Sequence, residues 1–296
     1  MSRTVAVLGP GAVGGSLAVR LALAGVRTIC VAPPEVARLI GLAGLVVEAE
    51  GTTLTARPEV AERLEEPVGL LLVTVKAPDL EDALDRIDRA AVSEGVVLPL
   101  LNGLEHMDVV RGRLGARAAG GSVSHYQAYR AGRVQIVETT PSPLITLASD
   151  DLGRGELDAA VGLLHDARLE VRVGTSEKRV LWRKVARIAP LAAATAATGR
   201  PVGALRSDPE WRPRLERAVA ESCGVATADG VSLNAGEQWS IIDALPTDLR
   251  PSAARDLANG RRSELDAIVG SVLRAGERLG VPCPELRTLA VAAGWS

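Results

Sequence analysis

Val5-Ala6-Val7-Leu8, followed at once by Gly9-Pro10-Gly11-Ala12-Val13-Gly14-Gly15, is the stretch that decides the fold. The first four residues read as a buried strand, and an apolar helix pattern runs from the glycines to about residue 24. Between them lies G-x-G-x-x-G. The first glycine makes a tight turn, the second lets backbone approach a pyrophosphate, and the third lets helix and strand pack closely. The helix start offers unpaired N–H groups to an anion. In a strand–turn–helix context the motif indicates a dinucleotide site made by Gly9, Pro10, Gly11, Ala12, Val13 and Gly14.

Outward from this loop, short β-branched runs alternate with helical stretches. Residues 28–32 read as a second strand stopped by Pro33-Pro34, and residues 45–48 and 52–57 as a hairpin around Glu50-Gly51. Residues 68–75 and 95–100 read as parallel strands covered on both faces, the latter followed by an Asn102-Gly103 turn. From Ser176 the period becomes helical, with Leu181, Val185, Ile188 and Leu191 on one stripe. The expected fold is α/β: a Rossmann-type, doubly wound parallel sheet over residues 1–173, then a mostly α-helical C-terminal domain over 174–296.

Composition narrows the function. The 296 residues are 47% hydrophobic and 24% charged, with a net charge of −2, so disorder and a basic nucleic-acid or membrane footprint are excluded. Six aromatic residues, none of them Phe, offer no stacking platform for bases. No apolar run reaches membrane-spanning length and no leader precedes the first strand, so a cytoplasmic protein is the expectation. Cys30, Cys223 and Cys283 are too widely spaced for a disulfide framework or a metal site. Basic residues are almost all Arg; the lysines are Lys76, Lys178 and Lys184. An ammonium can give up a proton where a guanidinium cannot, so each lysine invites a chemical role.

Four further segments, taken with the glycine loop, carry a family resemblance. Val73-Thr74-Val75-Lys76, Leu101-Asn102-Gly103-Leu104 and Leu181-Trp182-Arg183-Lys184 follow in order, and the C-terminal run from Ser252 through Gly260-Arg261 to Ser263-Glu264-Leu265-Asp266 completes the set. Together the chain resembles the ketopantoate reductases (2-dehydropantoate 2-reductases). The resemblance implies reduction of a small 2-oxo acid by NADPH, in a cleft between a Rossmann domain and a helical domain. It implies Lys184 as general acid, Glu264 as a supporting catalytic residue, Asn102 and Ser252 against substrate, and Lys76 and Asn102 beside the cofactor.

Bland readings stand beside these. Asn102-Gly103 is also a common turn pair, and Ser252 a helix N-cap. Glu264 is also a surface charge three residues from Arg261. On one straight helix Ser252 and Glu264 would lie about 18 Å apart, so either Asn259-Gly260 breaks that helix or the two serve different parts of a complex. The second-strand tip, Val31-Ala32-Pro33-Pro34-Glu35, carries neither an acid for a ribose hydroxyl nor an Arg for a 2′-phosphate. NAD therefore stays open beside NADP, with Glu35 and Arg38 favouring opposite choices.

The family's substrate helix carries asparagines four and eight residues after the lysine, the second followed by proline. Here those positions are Ile188, Ala192 and Ala193, the first two on the helical face of Lys184, while Pro190 frees the Ala186 carbonyl and bends the helix. A reductase for a more apolar 2-oxo acid or carbonyl compound, and a dinucleotide-binding protein without turnover, are the alternatives. His125 and Tyr126 are expected on an ordinary strand surface, with polar contacts to substrate as the other reading. A homodimer through the helical half, anchored by Trp211, Trp239 and Trp295, competes with placement of those side chains in the core.

Overall fold

The computed structural model describes residues 2–115, 117–140 and 142–296. Its strands are β1 (Val5–Leu8), β2 (Thr28–Val31), β3 (Leu45–Ala49), β4 (Thr52–Ala56), β5 (Glu59–Ala61), β6 (Leu70–Val73), β7 (Val96–Pro99), β8 (Gly120–Ser124), β9 (Ala128–Arg130), β10 (Gln135–Glu138), β11 (Leu144–Ala148) and β12 (Glu170–Val173). The helices are α1 (Ala12–Leu23), α2 (Pro34–Ala43), α3 (Leu80–Leu84), α4 (His106–Leu114), α5 (Arg154–Asp166), α6 (Glu177–Thr198), α7 (Val202–Arg206), α8 (Trp211–Ala228), α9 (Ala235–Asp243), α10 (Ser252–Ala258), α11 (Ser271–Leu279) and α12 (Pro284–Ala292).

β5-β2-β1-β6-β7 form a parallel sheet in that order, with Val5 opposite Thr28 on one side and Leu70 on the other. Four of these strands are buried along their whole length, as expected of a sheet covered by helices on both faces. The expected hairpin is present: β3 and β4 pair antiparallel, with Glu50 and Gly51 at positive φ in the turn. That hairpin belongs to a second sheet, β4-β3-β10-β9. A third sheet, β12-β11-β8, adjoins the first through a parallel bridge between Val97 and Ala118.

The chain's contacts gather into two compact units, Met1–Leu101 with His106–Val180, and Asn102–Glu105 with Leu181–Ser296. The sequence reading placed a single boundary at residue 173, after β12. The contacts divide the chain at Val180, inside α6, and assign residues 102–105 to the helical unit as well. That unit is built on its own apolar core of Trp182, Val185, Ala189, Leu215, Val219, Val269, Val272, Leu286 and their neighbours. Pro190 is accommodated within α6, which continues to Thr198. Trp211, Trp239 and Trp295 lie partly buried against this core and under Arg214, Arg212 and Arg287 respectively, so all three are used within the chain. No helix among the described residues is long and apolar enough to cross a membrane.

Candidate active site

The glycine loop is held by packing at two of its three glycines and open at the third. Gly9 turns the chain at φ +84°, and a Cβ there would run into Val75. A Cβ on Gly14 would run into the Thr74 hydroxyl, which donates to the Gly9 carbonyl at 2.8 Å. At Gly11 the nearest atom to an added Cβ is 3.9 Å away. Gly11 is therefore not demanded by the protein's own packing; its missing side chain leaves a cradle above the backbone. It is the N-cap of α1 and provides no side-chain cap, and the first turn carries no acid. The N–H groups that open α1 are thus available to an anion, and the loop fits a dinucleotide's pyrophosphate.

Lys76 sits at the carboxyl end of β6, half-buried, where a short 3₁₀ turn begins. This is the end of the strands at which open α/β sheets take ligands. Beyond β2, the Glu35 carboxylate is ion-paired with Arg133. Arg38 is exposed.

A buried network that the sequence reading missed fixes α1 in place. Glu138 of β10, 4% exposed, accepts from the Ser16 hydroxyl at 2.5 Å, from both Arg20 nitrogens at 2.7 and 2.6 Å, and from the Tyr126 hydroxyl at 2.8 Å. Burial pushes the Glu138 pKa up, but the bonds from Arg20, Ser16 and Tyr126 outweigh it and hold the carboxyl below its usual range. Ser16 and Arg20 stand four apart on an otherwise apolar helix, the one signal of this pair in the sequence. His125 and Tyr126 are not strand residues: His125 follows β8 at φ +54°, and Tyr126 turns inward to Glu138.

The helical unit brings Asn102, Lys184 and Glu264 together. Asn102 Nδ2 donates to Glu264 Oε2 at 3.4 Å. Gly103 beside it has φ +99°, and a Cβ there would run into the Ala267 carbonyl, so the Asn102 turn is pressed against the segment that follows Glu264. That segment, Asp266–Gly270, is one π-helical turn. Arg274 ties both pieces, donating to Glu105 at 2.8 and 2.7 Å and to Asp266 at 2.8 Å, while Trp295 Nε1 donates to Asp266 at 2.8 Å. Gly270 leaves the space in which Asp266, Arg274 and Trp295 meet.

Glu264 is 6% exposed, so it is not the solvated charge paired with Arg261 that spacing alone allowed. Arg261 lies instead 4.0 Å from Asp256. The expected straight helix from 252 to 264 does not exist. α10 stops at Ala258, Gly260 turns at φ +64°, and the Ser263 hydroxyl donates back to the Ala253 carbonyl at 2.9 Å. Ser252 opens α10 with its side chain exposed; the N-cap is Pro251 and makes no side-chain bond.

Lys184 is half-buried on α6. Loss of hydration lowers its pKa to about 8; Arg187 pushes the same way, and the Glu264 carboxylate opposes both. Ile188 is partly buried against the helical core and Ala192 is 1% exposed within it. The face beyond Lys184 is therefore apolar in fact as well as in sequence.

Two family models match this chain. One, described as ketopantoate reductase PanE/ApbA, covers residues 5–149, and one for the C-terminal part covers 178–294. The chain belongs to the ketopantoate reductase family. It is an NAD(P)H-dependent oxidoreductase of that type. A 2-dehydropantoate 2-reductase of Halobacterium salinarum is 31% identical over 256 residues, covering 83% of this chain and 82% of the relative. The structure of a PanE/ApbA family ketopantoate reductase from Ralstonia eutropha JMP134 superposes with a TM-score of 0.87 at 27% identity, covering 98% of this chain and 97% of that one. A D-mandelate dehydrogenase, solved with NADH and anilino(oxo)acetate, shares the fold at the same TM-score and 22% identity, over 98% of this chain and 97% of that one.

Proposed function

We propose that this member of the family reduces the keto group of 2-dehydropantoate with NADPH, and that Lys184 supplies the proton. The observation that supports this reading is the grouping of a half-buried Lys184, its pKa lowered to about 8, with a buried Glu264 that Asn102 contacts. Bound NADPH supplies a hydride. The remaining demands fall on side chains. As hydride adds to the carbonyl carbon, the π pair moves to oxygen, and the Lys184 ammonium gives that oxygen its proton. While charged, Lys184 also favours the developing alkoxide electrostatically. Glu264 keeps the ammonium protonated at neutral pH against the pull of burial, and Asn102 fixes the Glu264 carboxylate. Ser252 binds the far end of the substrate.

Gly9, Pro10, Gly11, Ala12, Val13 and Gly14 would hold the pyrophosphate, with Lys76 and Asn102 as further contacts to the cofactor. With Glu35 engaged by Arg133, the acid nearest the second-strand tip is withdrawn from a free ribose hydroxyl, which supports NADPH over NADH. A second reading, a more apolar 2-oxo acid as substrate, is favoured by Ile188 and Ala192 in the apolar surroundings just described.

The test is oxidation of NADPH and of NADH by purified protein with ketopantoate, for the wild type and Lys184→Ala. Fast oxidation by the wild type, lost in Lys184→Ala with NADPH affinity unchanged, is the expected result. Cofactor binding without oxidation of any 2-oxo acid would discard it, and normal turnover by Lys184→Ala would discard the proton donor.

A further inference from the structure

Arg187 lies one helical turn beyond Lys184, and its guanidinium is partly buried. Its one hydrogen-bond partner among the described residues is the buried Gln238 amide of α9, whose Oε1 accepts from Nη1 at 2.7 Å. No carboxylate of the described residues lies within ion-pair distance of it. Other arginines of the same unit differ: Arg200 pairs with Asp208, Arg214 and Arg217 with Glu285, and Arg274 with Glu105 and Asp266. Burial lowers the pKa of Arg187, and Arg183 adds to that effect. A guanidinium withdrawn from water without a counter-ion is costly, and here it also stands close enough to the Lys184 ammonium to lower that group's pKa. Lys184 and Arg187 are both only partly buried, so both charges are within reach of a ligand.

We propose that Arg187 binds the carboxylate of the substrate, and that Lys184 and Arg187 together read the adjacent carboxylate and keto oxygen of a 2-oxo acid. The inference rests on the reading of Lys184 as proton donor to that keto oxygen. Side chains three apart on a helix share one side, so a single small anion can meet both. The carboxylate accepts the forked N–H donors of Arg187, and the substrate's tail lies toward Ile188. Gln238 orients the fork. The pair thus does on two cations what the asparagines absent from positions 188 and 192 would do by neutral hydrogen bonds, and it makes the negative charge of the substrate the main determinant of specificity.

The experiment compares ketopantoate with its uncharged methyl ester, and measures binding of the unreactive 2-oxo acid mimic oxamate by calorimetry, in wild type, Arg187→Met and Arg187→Lys. In Arg187→Met, KM for the acid is expected to rise by roughly two orders of magnitude and oxamate binding to weaken as much. KM for the ester and the affinity for NADPH stay unchanged, and Arg187→Lys recovers part of the acid binding. Equal effects on acid and ester, or unchanged oxamate affinity, would overturn the assignment. Arg187→Lys carries the same acid-to-ester comparison should Arg187→Met not fold. Failure of the underlying reading shows differently: Lys184→Ala would then retain turnover, whatever the oxamate titrations show.

Discussion

Ser263 and Ala253, ten positions apart, are joined by a 2.9 Å hydrogen bond from the Ser263 hydroxyl to the Ala253 carbonyl. Gly260 makes this return possible, and the Arg261 N–H closes it on the Asp256 carbonyl at 2.9 Å. The bend carries Glu264 back beside the opening turn of α10. An added Cβ at Gly260 meets nothing within 4 Å, so its replacement tests the backbone alone. Gly260→Ala is expected to cost about 1–2 kcal/mol for an L-residue in the left-handed region, and to lower kcat/KM as Glu264 shifts. Gly260→Asn is expected to cost less. Thermal unfolding and steady-state kinetics of the two variants measure both effects, and an unaltered kcat/KM in Gly260→Ala would show that the bend does not set the site.

Lys184 sets the pH profile. The proton donor must be charged, so kcat/KM for reduction is expected to be flat below about pH 8 and to fall above it. Glu264 raises the Lys184 pKa, so Glu264→Gln should move that break to lower pH besides reducing the rate. A profile that keeps its break in Glu264→Gln would separate the two residues.

The same group has a stability consequence of opposite sense. The folded pKa of Lys184 lies below its value of 10.5 in the unfolded chain, so the unfolded state binds the extra proton between about pH 8 and 10.5. The penalty is complete below pH 8 and fades as pH rises through that window. Lys184→Met is expected to be more stable than wild type at pH 7, by on the order of 2–3 kcal/mol, with the difference closing by pH 10.5. Urea unfolding of both proteins across that range gives the comparison.

The glycines of the loop are expected to separate into two classes. Gly9→Ala and Gly14→Ala collide with Val75 and Thr74, and should lower stability by about 1–3 kcal/mol or more. Gly11→Ala should leave the unfolding midpoint of the ligand-free protein unchanged while weakening NADPH binding. Calorimetric titration beside thermal unfolding distinguishes the classes, and undiminished NADPH affinity in Gly11→Ala would remove the cradle from the argument.

Glu138 offers a contrast between a broken and a deleted ion pair. Glu138→Gln leaves the nearly buried Arg20 without its counter-ion, for an expected loss of about 3–5 kcal/mol. Arg20→Met combined with Glu138→Gln should recover part of that loss. Denaturant unfolding of the single and double variants reads the difference directly.

Residues 5–15 were legible because the strand–turn–helix pattern is written in adjacent residues: four apolar residues make a buried strand, and the spaced glycines mark the turn into the helix. The β3–β4 hairpin was legible for the same reason. Lys184 and Glu264 came from motif resemblance, and the structure adds that one is half-buried and the other enclosed. What sequence could not show is set by distant partners. Tyr126 looked like a strand surface residue because its acceptor, Glu138, lies beyond an intervening strand. Arg187 looked like one more arginine in an arginine-rich chain; that its hydrogen-bond partner among the described residues is a neutral amide, Gln238 of α9, is not written in α6. Residues 102–105 looked like a loop after β7, and only the fit of Gly103 on Ala267 shows which unit they complete.

That last placement bears on how such a protein can be taken apart or recombined. The backbone passes from one unit to the other at Leu101, at Glu105 and again at Val180, so no single cut frees the helical half intact. A fragment beginning at Leu181 would keep Lys184 and Glu264 but forfeit Asn102, the glycine seated on Ala267 and the Glu105 partner of Arg274. A chimera joined at α6 would inherit residues 102–105 from the wrong parent. Exchange of C-terminal halves between relatives therefore calls for two grafts, a long one and one of four residues.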